Sequence, residues 1–85
     1  MAVSGKPKKE SWVVRNPKVL EREPSIRGTR ISVRSVVLAA REYGGVQGAM
    51  RAYPHLSEDA VQEALSYYEA HTEEIDRHIG QNAKA

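Results

Sequence analysis

The sequence predicts a small, mainly α domain in which three helices in a helix-turn-helix-like arrangement follow a short N-terminal β-hairpin. Three observations carry this prediction. A chain of 85 residues has room for one core. The apolar residues after Ser32 recur at helical spacing. Before Ser32, a turn centred on Gly28 separates two short β-prone runs. Residues 1–11 read as a flexible basic arm, 12–80 as the single helix-turn-helix-like domain and 81–85 as a short tail.

Trp12-Val13-Val14 is β-prone and is followed by the turn dipeptide Asn16-Pro17, so it makes at most one short strand. Ser25-Ile26 and Thr29-Arg30-Ile31 flank Arg27-Gly28, and Gly28 can take the positive φ that a tight two-residue turn demands, which gives the hairpin. The first helix starts after Ser32, a candidate N-cap, with Val33, Val36, Val37 and Ala40 on one face, and it stops at Gly44-Gly45. A second, short helix carries Val46, Ala49, Met50 and Tyr53, and Pro54 ends it. Ser57 caps the third, whose first turn holds Glu58 and Asp59 at the positive end of the helix dipole. Leu56 and Val61 are spaced as a hydrophobic staple. The apolar line Val61, Ala64, Leu65, Tyr68, Ile75 and Ile79 then makes this the longest element, running to Gly80 with Leu65 in its core.

Composition excludes several classes. Without cysteine there is no disulfide and no thiolate zinc site, and neither a signal peptide nor a stretch of membrane-spanning length is present, so a cytoplasmic protein is expected. The net charge of +2 is unevenly spread. Residues 1–51 carry 11 Lys/Arg against 4 Asp/Glu, whereas residues 52–85 carry 2 against 7. A basic half of this kind suits an anionic partner, either nucleic acid or an acidic protein surface.

No catalytic machinery is legible, and no enzyme, cofactor or metal is expected. His71, Glu74 and His78 fall at i, i+3 and i+7, but the HExxH spacing is absent and no fourth ligand can be named, so they read as a solvated polar face. His55 beside Pro54 reads as a turn-shaping residue. The carboxylates crowd one helix and do not converge across a cleft, as paired acid and base groups must. Gly44-Gly45 with Gly48 fits neither the GxGxxG nor the P-loop pattern.

The candidate contacts are therefore charged. Lys6, Lys8 and Lys9 on the arm, with Arg15, Arg27, Arg30 and Arg34 around the hairpin and the first helix, form a possible footprint for phosphate or for an acidic partner. The same residues also fit an ordinary solvated basic face. The front of the third helix, the usual recognition position, carries Glu58, Asp59 and Glu63, which would repel phosphate, so any DNA contact is expected from the hairpin and arm. Tyr68 fits the core line, which leaves the adjacent Tyr67 partly exposed as a candidate dimer or partner surface. A thin core favours a homodimer.

The run Pro24-Ser25-Ile26-Arg27-Gly28-Thr29-Arg30-Ile31-Ser32-Val33, followed by Tyr53-Pro54-His55-Leu56-Ser57 and Ala64-Leu65-Ser66-Tyr67-Tyr68, resembles the "domain of unknown function 433" family over roughly residues 13–80. The resemblance implies a homeodomain-like helix-turn-helix fold and a VapB-type antitoxin partnered by a PIN-like nuclease toxin, with operator DNA as a second ligand. It brings no catalytic residues, and Gly28, Thr29, Arg30, Pro54 and Leu56 stand at structural positions. A PIN-type site is a carboxylate cluster, which an inserted lysine or arginine would satisfy through charge-assisted hydrogen bonds while displacing its metal. Antitoxins of this plan usually carry a long wrapping tail, whereas only Gln81–Ala85 follow Gly80 here. Neutralisation would then fall to the folded surface or the arm. The alternative is a stand-alone DNA-binding or adaptor module without a toxin.

Overall fold

The structure, a computed structural model, describes residues 11–15 and 23–83. The arm lysines Lys6, Lys8 and Lys9, the Asn16-Pro17 turn and the last two residues of the expected tail lie outside the described residues. The order is β1 (Val13–Val14), β2 (Ser25–Ile26), α1 (Val33–Tyr43), α2 (Gly45–Ala52), α3 (Glu58–Ala70) and α4 (Thr72–Ala83). It is a mainly helical architecture with one two-stranded antiparallel sheet.

The Trp12–Val14 run forms the expected strand, but its partner corrects the expected hairpin. Val13 pairs with Ile26 and Val14 with Ser25. The turn at Arg27-Gly28 does form, with Gly28 at φ 81°, the Thr29 N–H donating to the Ile26 carbonyl at 3.0 Å and the Ile26 N–H to the Ile31 carbonyl at 2.8 Å. Across it there is only an isolated bridge between Ser25 and Ser32. A return strand has no room, because Ser32 is already the N-cap of α1, its hydroxyl accepting from the Ser35 N–H at 2.9 Å. β2 therefore pairs with β1.

The other boundaries follow the capping chemistry. Gly44, at φ 100°, closes α1 with its N–H on the Ala40 carbonyl at 3.1 Å. α2 ends at Ala52, two residues ahead of Pro54. Ser57 caps α3 by accepting from the Ala60 N–H at 3.1 Å.

The expected single long helix is instead two, so the helix count is four rather than three. The break is at His71, whose backbone leaves the helical region at φ −133°, ψ 44°. Its N–H is shared between the Tyr67 and Tyr68 carbonyls at 2.9 and 3.1 Å. The Thr72 hydroxyl shares its one proton between the Tyr68 and Glu69 carbonyls at 2.9 and 3.2 Å, supplying a donor that a continuing helix would draw from its backbone. The bend lets α4 turn Ile75 inward to full burial. α4 then runs through Gly80 to Ala83, so part of the expected tail is helical.

The core is built mostly from small β-branched residues and alanine. Val33, Val36 and Val37 of α1 meet Ala49 of α2, Leu56, Ala60, Val61 and Ala64 around α3, and Ile75 of α4, with Val13 and Ile26 closing one end. Leu65, expected in the core, is only half-buried at its edge.

Candidate functional site

The basic residues around the turn divide by what they touch. Arg34, on the first turn of α1, faces Glu23 in a two-pronged pair, Nε to Oε2 at 2.7 Å and Nη2 to Oε1 at 3.2 Å. The Glu23 side chain is only 8% exposed, which makes this a largely desolvated structural pair. Arg27 lies over the Trp12 ring at 4.7 Å, with its Nε donating to the Ser11 carbonyl at 3.1 Å and its backbone N–H to the Trp12 carbonyl at 2.7 Å. Arg30 is exposed, and no hydrogen bond or ion pair ties its side chain to another described residue. The turn that presents it is closed by hydrogen bonds. The Thr29 hydroxyl donates to the Ile26 carbonyl at 2.8 Å and accepts from the Ile31 N–H at 3.0 Å, closing the loop from inside.

Arg15 is drawn away from that cluster. Its guanidinium grips Glu74 of α4 with both nitrogens at 2.6 Å and also reaches the Tyr67 hydroxyl. Tyr67, half-buried, stacks on His71 with centroids 4.0 Å apart and donates to Glu74 at 3.5 Å. Its neighbour repeats the pattern on the other side of α3. The Tyr68 hydroxyl accepts from Arg41 of α1 at 2.7 Å and donates to Asp76 of α4 at 2.9 Å. Two Arg–Tyr–carboxylate triads thus flank the break at His71 and clamp α4 to the rest of the fold. Arg15 holds the Glu74 carboxyl below its usual range, against partial burial, and the charges of His71 and His78 act in the same direction. Burial and then the Glu74 charge push the Tyr67 phenol up, and the hydrogen bond to Asp76 does the same for Tyr68.

Glu63 does not point forward from α3. It is half-buried and accepts the backbone N–H groups of Trp12 at 3.0 Å and Val13 at 3.4 Å, together with the Ser11 hydroxyl. Partial burial works to raise its pKa, but these hydrogen bonds and the Arg27 charge outweigh it and leave the carboxyl low. Glu58 and Asp59 remain exposed at the front of α3, with Glu58 accepting from Gln62 at 3.0 Å. Among the described residues no three His, Cys, Asp or Glu side chains converge in a way that could hold a metal ion. No described helix is long and apolar enough to cross a membrane.

Sequence reasoning missed the carboxylate partners Glu23, Glu74 and Asp76 and the role of Arg41, because each pair joins residues of different elements or segments that only the tertiary fold brings together. It also missed an open groove of about 640 Å³ between the C-terminal parts of α1 and α2, walled by Leu38, Tyr43 and Tyr53. The available signal was Leu38, a large apolar residue off the valine stripe of α1.

A search of curated proteins finds no match. A solved structure, a DUF433 member protein from Anabaena variabilis ATCC 29413, is similar to the chain with 32% identity and a TM-score of 0.71, over 84% of this chain and 70% of that one. The family described as "Protein of unknown function (DUF433)" matches residues 13–68, which run from β1 to the second of the paired tyrosines and stop short of α4. The strand, the glycine turn and the first three helices are thus the part of the fold on which the match rests, and the chain belongs to the DUF433 family.

Proposed function

We propose that this chain is a non-catalytic binding protein, the antitoxin of a type II toxin–antitoxin pair that inserts a cation into the carboxylate cluster of a PIN-like nuclease. The observation that carries the reading is the hydrogen-bonded Gly28-Thr29 turn displaying an exposed Arg30, while Arg15 and Arg34 are each taken up by a carboxylate. An exposed guanidinium on a hydrogen-bonded turn suits a carboxylate cluster, because little loop ordering is left to do on binding and only the side chain must be fixed. The short α2, the turn at 53–57 and α3 support a helix-turn-helix likeness, and operator DNA is the second ligand of this reading. Its contact is the same tip, since the exposed Glu58 and Asp59 put negative charge where a recognition helix would enter the groove.

Co-expression with a neighbouring PIN-like reading frame, followed by affinity capture, tests the reading. The nuclease should co-purify, and Arg30→Glu should weaken capture by about tenfold or more, the scale of one charge-assisted hydrogen bond. Absence of a complex, with DNA binding retained, would instead establish a stand-alone DNA-binding module.

A further inference from the structure

The described residues leave two large apolar side chains exposed, Leu38 at 39% and Tyr43 at 53%, and both line the groove between α1 and α2. Ala39 and Ala52 give it a shallow floor and Tyr53 a wall. A smaller depression of about 300 Å³, lined by Tyr43, Arg51 and Ala52, continues it. The two exposed side chains adjoin one groove, which makes this face the place where covering by a partner would remove the most apolar surface from water.

The charges at the rim decide what covers it. Arg41 is committed to Tyr68 and Asp76. Glu42 is exposed and has no ion-pair partner among the described residues. Arg51 spends one nitrogen on the Tyr43 carbonyl at 2.7 Å and meets no carboxylate there. The face therefore offers one uncommitted acid and one base beside two apolar side chains. An acidic partner would leave Glu42 opposed and a basic one would leave Arg51 opposed. A second copy turned about a two-fold axis satisfies both, because an isologous contact matches a patch to itself.

We infer that the α1–α2 groove is an isologous dimer interface, in which Leu38 and Tyr43 of each copy pack into the groove of the other while Glu42 pairs with the second copy's Arg51. The dimer surface then lies on the face of Leu38 and Tyr43, away from Tyr67, whose hydroxyl is held by Arg15 and Glu74. The inference does not depend on the antitoxin reading, since it concerns the chain alone.

Sedimentation equilibrium of the full chain, from micromolar to submillimolar concentration, should show a monomer–dimer equilibrium. Leu38→Ser with Tyr43→Ser, both surface changes, should keep the circular dichroism spectrum and weaken association at least about tenfold, the scale on which a well-packed apolar contact matters. Charge exchange supplies the independent arm. E42R and R51E should each weaken self-association by about tenfold, because like charges then face each other. An equimolar mixture of the two should recover it, as should the double variant E42R/R51E. R51E also removes the hydrogen bond to the Tyr43 carbonyl, and recovery in the mixture separates that local effect from pairing across the interface. A wild-type chain that stays monomeric throughout the range, a dimer indifferent to the serine changes, or single charge variants whose mixture does not recover would each overturn the assignment. Monomeric wild type whose groove is instead protected by a co-purifying protein would assign the face to that protein and equally reject the homodimer.

Discussion

Glu63 shows how a residue's role depends on what the fold brings to it. From sequence it is a forward-facing acid on a would-be recognition helix; in the fold its carboxylate receives the backbone N–H groups of Trp12 and Val13 and so anchors β1 to α3. Arg34 makes the same point for the basic cluster, since its charge is met by the buried Glu23 rather than offered to a ligand. Arg34→Ala should therefore destabilise the fold by about 1–3 kcal/mol, because it strands a largely desolvated carboxylate, whereas Arg30→Ala should stay within about 0.5 kcal/mol. Urea denaturation of the two variants checks this, and equal losses would mean that the Arg34–Glu23 pair contributes nothing. Gly48 adds a steric case. A Cβ at this position in α2 would collide with the Tyr43 carbonyl at the end of α1. The backbone would have to give way, so Gly48→Ala should cost about 1–3 kcal/mol despite the better helix propensity of alanine. A variant with raised thermal stability would show that the close approach is not maintained in solution.

Among the elements, the ends of α1 and the start of α3 were legible because Ser32, Gly44 and Ser57 state their capping chemistry locally. The break at His71 was not. Apolar periodicity bridges it, because the interval from Tyr68 to Ile75 is two helical turns, and a seven-residue spacing is the same in one helix or in two that share a face. What betrays the break is polar side-chain chemistry, namely the Thr72 hydroxyl on the Tyr68 and Glu69 carbonyls, set in the gap of the apolar line. The pairing of β2 with β1 was hidden for a related reason, since a two-residue strand carries no register information. The exposed-cation site was legible as a cluster, but which arginine stays available depends on long-range partners. α4 makes its fully buried contact through Ile75, packs the partly buried Ile79 against the core, and is also held by the two tyrosine triads. Ile75→Ala should then cost about 2–5 kcal/mol, the range for a buried isoleucine, and should raise hydrogen exchange across residues 72–83 ahead of α1. Leu65→Ala, at the half-exposed edge, should cost less than Ile75→Ala. The reverse order would mean that α4 is undocked.

Across the whole molecule, the opposite charges of the two halves of the chain meet one another in the fold. Arg15 reaches Glu74, Arg41 reaches Tyr68 and Asp76, and the first strand sets its N–H groups on Glu63, so part of the asymmetry that suggests an anionic partner is internal complementarity. Exposed pairs of this kind contribute modestly, and Arg15 is 47% exposed. What they contribute is read from its pH dependence. Glu74, held low chiefly by Arg15, and Glu63, held low by its hydrogen bonds against partial burial, both have folded pKa values below the reference of 4.5. As the pH falls through that reference, the unfolded chain takes up protons at these positions before the folded chain does. Stability contributed by both groups is therefore fully present above about pH 4.5 and is lost progressively as the pH drops toward the lower folded values. The wild-type melting temperature should decline through this acid window. Glu74→Gln should lower stability at neutral pH and flatten the decline, because the proton-linked contribution is already absent, and Glu63→Gln should do the same through the β1 anchor. Thermal melts of the three proteins from neutral to acid pH decide the matter, and a glutamine variant that keeps the full wild-type slope would show that its carboxylate does not clamp the fold in solution.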